Sequence, residues 1–263
     1  MNILDKIIAD KQIEVKLNKQ IKPVSKLTNS SLFERNTISL SENLRNSKSG
    51  IIAEFKRKSP SKSEINMDSK VSDVARGYEK AGVCGISILT DNPYFGGNLE
   101  DLISARGFVE IPLLRKEFII DEYQIIEAKS AGADFILLIA AILTSAQIKK
   151  FSALAQSLEL EVLLEVHDEK ELVNNQFPTI NMMGVNNRNL KTFEVDISTS
   201  KKLAKLIPNE FVKISESGIS NVETVKELRQ YGFEGFLIGE NFIKTNNPGA
   251  SANEFIKQIE NGN

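Results

Sequence analysis

DFILLIAAILTSAQIKKFSALAQSLELEVLLEV, residues 134–166, reads as a strand, a helix and a second strand. Its ends, DFILLIA (134–140) and EVLLEV (161–166), are short and almost continuously apolar, as strands covered on both faces must be. Between them Thr144-Ser-Ala-Gln147 has the form of a capping box, in which two side chains satisfy backbone donors at the start of a helix. Outward from this unit the theme recurs at IIAEFK (51–56), CGISILT (84–90), IPLLRK (111–116), INMMGVN (180–186), FVKIS (211–215) and GFLIG (235–239). Each run is followed by a segment of helical period. Asp121 and Asp168 open helices as N-cap or first-turn acids, and Ser220-Asn-Val-Glu223 again has capping-box form. Gly82, Gly132 and Gly232 stand where helices end in a left-handed turn. Eight strand–helix units predict an α/β fold, a single (β/α)8 TIM barrel over residues 51–263. Neither the dinucleotide-binding glycine pattern nor a P-loop occurs to favour a doubly wound sheet.

Residues 1–50 stand outside the repeat. Ile3, Leu4, Ile7 and Ile8 share one helical face, and a second short helix fits Ser39 to Arg45, with Pro23 between the two. Fifty residues bury too little surface to fold alone, so this segment is expected to be an N-terminal helical extension packed on the barrel.

Thirty-three basic residues against 35 acidic ones give a formal charge of −2, too balanced for a protein bound to nucleic acid or to an anionic membrane. One cysteine and one histidine exclude a disulfide framework and the common structural zinc patterns, and a reducing cytoplasm is the expected location. The N-terminus is charged throughout and no stretch approaches 18 apolar residues, so neither a signal peptide nor a membrane span is expected. Any serine- or cysteine-based triad would have to use His167. Acid and base work therefore falls to lysines and carboxylates.

In a barrel the reacting groups stand where strands end. Ile52, Glu54 and Lys56 share the inward face of the first strand by its period of two; Lys116 ends the third strand, Glu165 the fifth and Asn186 the sixth. Inward charges are expensive unless paired, so their convergence points to function. Taken singly, they read as ion pairs, Glu54 with Lys56 or Lys116 with Glu165. Beyond strands seven and eight, Ser215-Glu-Ser-Gly218 and the short segment Glu240 to Lys244 after Gly239 offer backbone N–H groups to a phosphate, with Arg188 from the side. Lys56-Arg-Lys58, Ser59-Pro-Ser61 and Lys62 form an anion-binding first loop rather than a nucleic-acid patch, since aromatics are not interleaved. Phe95 and Phe118 fit either a wall for an aromatic group or ordinary core. His167 is expected to cap the following helix or face solvent, and Cys84 to pack.

IIAEFKRKSPS (51–61), TDNPYFGG (90–97), LLRKEFI (113–119), LLEVHDE (163–169), GVNNRNLKTFEVD (184–196), ISESGI (214–219) and FLIGE (236–240) resemble, in order, the motifs of the indole-3-glycerol phosphate synthase family. The resemblance spans the whole chain, including the N-terminal extension. Glu117 departs from it, because many members carry Asp there, and the isomerase barrel fused to some members is not expected. The resemblance implies a lyase of tryptophan biosynthesis that needs no cofactor or metal. Lys116 would be the general acid and Glu165 the base, with Glu54, Lys56 and Asn186 completing the catalytic set. Ser59, Arg188, Glu216, Ser217, Gly218, Gly239 and Glu240 would contact substrate and phosphate, with Phe95 and Phe118 near an anthranilate ring. The implied partner is a small phosphorylated molecule, with no nucleic acid or membrane, and a monomer is expected. An acid working near neutral pH needs a lysine pKa below about 10.4, and a neighbouring lysine plus partial burial are expected to lower that of Lys116. On the residues alone a Schiff-base aldolase, a phosphoribosylanthranilate isomerase and a phosphate-binding non-enzyme stay open.

Overall fold

The computed structural model describes residues 3–190 and 192–261. Lys191, inside the 184–196 motif, lies outside the described residues. Eight parallel strands close into one barrel in chain order: β1 (Ile51–Phe55), β2 (Gly85–Leu89), β3 (Leu113–Lys116), β4 (Phe135–Ile139), β5 (Glu161–Val166), β6 (Met182–Asn186), β7 (Val212–Glu216) and β8 (Gly235–Ile238), with β8 pairing back to β1. This is a (β/α)8 TIM barrel with an N-terminal helical extension. Each apolar run of the sequence holds one strand. The third run opens two residues early, because Pro112 has no N–H for the ladder; its carbonyl instead accepts from Ile86 N at 2.9 Å.

Helices α1 (Ile3–Ile21), α2 (Val24–Leu27) and α3 (Leu40–Arg45) precede the barrel. Around it run α4 (Val71–Ala81), α5 (Asn92–Phe95), α6 (Leu99–Arg106), α7 (Glu122–Ser130), α8 (Ser145–Ser157), α9 (Glu169–Val173), α10 (Ser198–Leu203), α11 (Val222–Arg229), α12 (Glu240–Ile243) and α13 (Pro248–Asn261). Thr144 and Gln147 form the capping box of α8, and Asp121 and Gln124 form another on α7. At α11 the reading from sequence is off by one residue. Asn221, not Ser220, is the N-cap, its side chain accepting from Thr224 N at 2.8 Å.

Two apolar layers follow from the alternation of the strands. Ile51, Ala53 and Phe55 face the helices, whereas Ile52, Leu114, Leu137, Leu163, Ile214 and Leu237 fill the interior. The interior column continues downward into the extension. Leu40 and Leu44 of α3 are fully buried beneath the barrel, and the space they occupy is left by Gly85 and Gly235: a Cβ at these glycines would meet Leu40 Cδ1 at 2.9 Å and Leu44 Cδ1 at 3.2 Å. Glu161, at the start of β5, accepts from Ser39, Leu40 and Ser41 and so ties α3 to the same floor.

At the opposite end α1 crosses the mouth. Ile7 and Val15 are buried, while Ile3 and Leu4 are half-buried. Lys11, also buried, places its ammonium 3.1 Å from Asp91 and 3.0 Å from Glu117, in the segments that follow β2 and β3. These carboxylates hold the Lys11 pKa up against its burial. No described helix is long and apolar enough to cross a membrane.

Candidate active site

The inward positions change from apolar to charged at the last turn of the strands. Glu54 and Lys56 continue the alternation of β1, Lys116 ends β3, Glu165 lies one residue before the end of β5, and Asn186 and Glu216 end β6 and β7. With the loops beyond, they enclose a cavity of about 430 Å³, of the size of a small-molecule site. All the residues that the family resemblance implies as catalytic or substrate-contacting line it, and so do Ile3, Leu4 and Ile7 of α1.

At the inner end the charges interlock. Lys56 Nζ lies 2.6 Å from Glu54 Oε1, and Lys116 Nζ lies 3.4 Å from Glu54 Oε2 and 3.2 Å from Glu216 Oε2. Of the two ion pairs expected, Glu54–Lys56 is present. Lys116 is paired with Glu54 and Glu216 instead of Glu165, because Glu216 projects inward at the end of its strand. Gly184 on the neighbouring strand leaves that room: a Cβ there would collide with Glu216 Oε1.

Burial resists ionisation of Glu54, but Lys56 and Lys116 overcome it and hold the carboxyl down at about 2. For Lys116 the expectation is reversed. Burial does work to lower its pKa, yet Glu216, Glu54 and Glu165 together raise it above the ordinary lysine value. The neighbouring lysine is outweighed because three carboxylates surround one ammonium. Glu216 is pushed up to about 7, chiefly by burial, since it shares Lys116 with Glu54 and its Oε1 has no hydrogen-bond partner. A carboxyl poised there exchanges its proton near neutral pH.

The outer end is built from turns. Ser217 and Gly218 both have positive φ, 67° and 78°, a strained conformation for serine that aims the turn towards the cavity. Asn187, which sequence reasoning passed over, holds it in place. Its buried amide donates to Ser215 Oγ, Glu216 O and Ser217 O at 3.0, 3.0 and 3.1 Å, while its oxygen accepts from Ser200 N and Oγ. Gly239 precedes α12 with no side-chain cap on that helix. The Glu240 carboxylate points away to Lys62, 2.9 Å distant, and Arg188 is steadied by its bond to Phe193 O at 3.0 Å. Phe95 and Phe118 are half-buried with ring centroids 6.1 Å apart and line the cavity, Phe118 also packing against the interior core.

Two expectations from sequence are corrected here. The basic first loop is less free for anions than its composition suggests: Arg57 is held by Asp101 at 2.6 and 2.9 Å and stacks on Phe55, and Lys58 donates to Pro93 O. His167 neither caps α9, which Asp168 does, nor faces solvent. It lies between Glu165 and Glu171. Counting by two from Ile214 and from Leu163 would have placed both Glu216 and His167 on the inward side. Among the described residues no group of three or more His, Cys, Asp or Glu is arranged to hold a metal ion.

The family model for indole-3-glycerol phosphate synthase matches residues 4–255. The chain belongs to the indole-3-glycerol phosphate synthase family. A relative from Bacteroides thetaiotaomicron named indole-3-glycerol phosphate synthase is 46% identical over 98% of this chain and 99% of its own length. Another so named, from Polaromonas naphthalenivorans, is 41% identical over 97% and 98%. As a member of the indole-3-glycerol phosphate synthase family the chain is an enzyme, a carboxy-lyase of tryptophan biosynthesis. A solved structure of 3-hexulose-6-phosphate synthase from Salmonella typhimurium shares the barrel at a TM-score of 0.63 and 14% identity, over 81% of this chain and all of that one, a likeness of fold alone.

Proposed function

We propose that the enzyme closes the indole ring of 1-(2-carboxyphenylamino)-1-deoxy-D-ribulose 5-phosphate, releasing CO₂ and water to give indole-3-glycerol phosphate. The observation that carries this reading is one cavity in which an interlocked acid–base cluster lies at the strand ends, with the strained Ser217-Gly218 turn beyond β7 on one side and the Phe95–Phe118 wall beyond β2 and β3 on the other. Such a cavity suits a substrate with an arene, a ketone and a phosphate in line.

The phosphate sits against the backbone of Ser217-Gly218 and Gly239, with Arg188 closing a charge-assisted contact and Ser59 and Glu240 at the rim. Phe95 and Phe118 take the anthranilate ring. The ring carbon that bears the carboxylate attacks the ketone carbon, and the Lys116 ammonium delivers its proton to the ketone oxygen as the new bond forms. Positive charge then develops on the anilino side, where Glu165 stabilises it. The bond to the carboxylate breaks, CO₂ leaves, and its electron pair returns to the ring. Glu54, Lys56 and Asn186 serve the last step, in which the hydroxyl departs as water with a proton from an ammonium while a carboxylate removes a proton from the methylene carbon between that centre and the nitrogen, forming the ring double bond.

At rest Lys116 holds its proton tightly between Glu54 and Glu216. Substrate entering the cavity displaces these carboxylates, and the proton becomes transferable. A lysine held protonated is no nucleophile, which argues against a Schiff-base aldolase. Residues 1–50 act as part of the barrel, and the protein works as a cytoplasmic monomer without nucleic acid or membrane. The test is to add the carboxyphenylamino deoxyribulose phosphate to purified protein and follow indole fluorescence, against no tryptophan background. Absence of an indole product refutes the proposal.

A further inference from the structure

Among the ionisable groups beside the cavity, His167 takes no step in the chemistry above. His167, the only histidine of the chain, continues the alternation of β5, so its ring lies beside Glu165 with the side chain 16% exposed. Its Nδ1 is 3.1 Å from Glu171 Oε2, and its Nε2, which has no aligned hydrogen-bond partner among the described residues, lies in charge contact with Glu165 Oε1 at 3.3 Å. Glu171 is itself fixed, since the same oxygen accepts from His167 N at 2.7 Å and its own N–H donates to Asp168 at 2.8 Å. A neutral imidazole has one N–H and one lone pair, so it would turn a lone pair towards one of the two carboxylates. Only the imidazolium serves both. Burial opposes that charge, but Glu165 and Glu171 outweigh burial and raise the pKa from 6.5 to about 10. The ring is a fixed cation through the neutral range.

The charge count at the mouth shows what this cation serves. Lys56 is taken by Glu54, and Lys116 by Glu54 and Glu216, so among the described residues no lysine forms an ion pair with Glu165. Burial resists the ionised Glu165, and His167, ahead of Lys116 and Asn186, holds its carboxyl below the ordinary range. The charged groups facing the ring are Glu165 on β5 and Glu171 on α9. Beyond Glu165 lie Lys116 of β3 and Glu216 of β7, while Asp168 is engaged as the helix cap. We propose that His167, clamped as an imidazolium by Glu171, is a positioning residue that keeps the Glu165 carboxylate ionised and fixed in orientation for the reaction. This rests on the reading of Glu165 as the base.

Because there is one histidine, proton NMR follows its ring without assignment. The imidazole signal of the folded enzyme stays flat from about pH 6 to 9, whereas in Glu171→Gln it titrates within that range. A wild-type signal titrating near the ordinary value of about 6.5 overturns the clamp. In kinetics, His167→Gln lowers kcat by about tenfold or more while KM stays within about threefold, the pattern of a group that acts in the transition state. The acidic limb of its kcat profile moves up by about one pH unit as Glu165 becomes harder to ionise, and His167→Lys brings the limb back. An unmoved limb in a folded His167→Gln enzyme overturns the proposal. Wild-type turnover in Glu165→Gln, with the NMR clamp intact, overturns the role of Glu165 instead.

Discussion

Glu216→Gln tests the balance of burial against charge in the cluster of charges at the cavity's inner end. In the folded enzyme the Glu216 carboxyl keeps its proton up to about 7, against 4.5 for an ordinary glutamate, chiefly because it is buried with an unpartnered oxygen. Below about pH 4 the residue is neutral in folded and unfolded chains alike and costs nothing. Between about 4.5 and 7 the folded state holds a proton that the unfolded state has released, so stability falls as pH rises. Above 7 both forms are ionised and the full cost stands. At about 1.4 kcal/mol for each pH decade between the two values, that cost is about 3 kcal/mol. Glutamine, nearly the same shape and neutral throughout, escapes it and still accepts a hydrogen bond from Lys116. Urea unfolding followed by far-UV circular dichroism at about pH 4.5, 6 and 8 gives the stability difference between variant and wild type, and we expect it to move by about 3 kcal/mol in favour of the variant across that range. A gap that stays flat, or moves towards the wild type, refutes the reasoning. It would mean that Lys116 at 3.2 Å dominates and holds Glu216 ionised.

Lys116→Met should lower kcat by about 10² to 10⁴ with substrate binding still measurable, as for loss of a general acid; near-wild-type turnover would remove Lys116 from that role. Arg188→Ala should raise KM by roughly 10- to 100-fold at little cost in kcat, because a charge-assisted phosphate contact of about 1.5–3 kcal/mol persists from ground state to transition state. Leu44→Ala should cost about 3–5 kcal/mol in denaturant unfolding, the range for a leucine in a tight apolar site, with kcat unchanged at permissive temperature. A loss under about 1 kcal/mol would detach the extension from the barrel core.

The architecture was legible because parallel strands buried on both faces leave continuous apolar runs, and all eight are present in the sequence. Helix starts were legible where one side chain decides them, as at Thr144 and Asp121, and slipped by a residue at Asn221, where two adjacent residues can both cap. The candidate site was legible as a set, since charges that interrupt apolar runs near their ends have one mouth in common. Which charge meets which was not. Lys116 pairs with Glu216 only because Gly184, on a different strand, leaves the carboxylate room, and no local pattern carries that relation. The direction of the Lys116 pKa failed for the same reason: it depends on how many carboxylates surround the ammonium, a count made in space. Lys11 was hidden differently. On a helix whose neighbouring positions are charged and exposed it reads as surface, and only the docking of α1 over Asp91 and Glu117 buries it.

The extension touches both ends of the barrel, with Ile3, Leu4 and Ile7 at the mouth and Leu40 and Leu44 at the floor. A stretch of chain made before the barrel is therefore among the last able to settle. Leu44 fits beside Gly235, and Arg45 donates to the carbonyl of Glu210, 165 residues later, so neither contact exists until β7 and β8 have been made. Until then an amphipathic helix waits without its partner surface, and the closing of the floor, a contact of very long sequence separation, becomes a natural late event in folding.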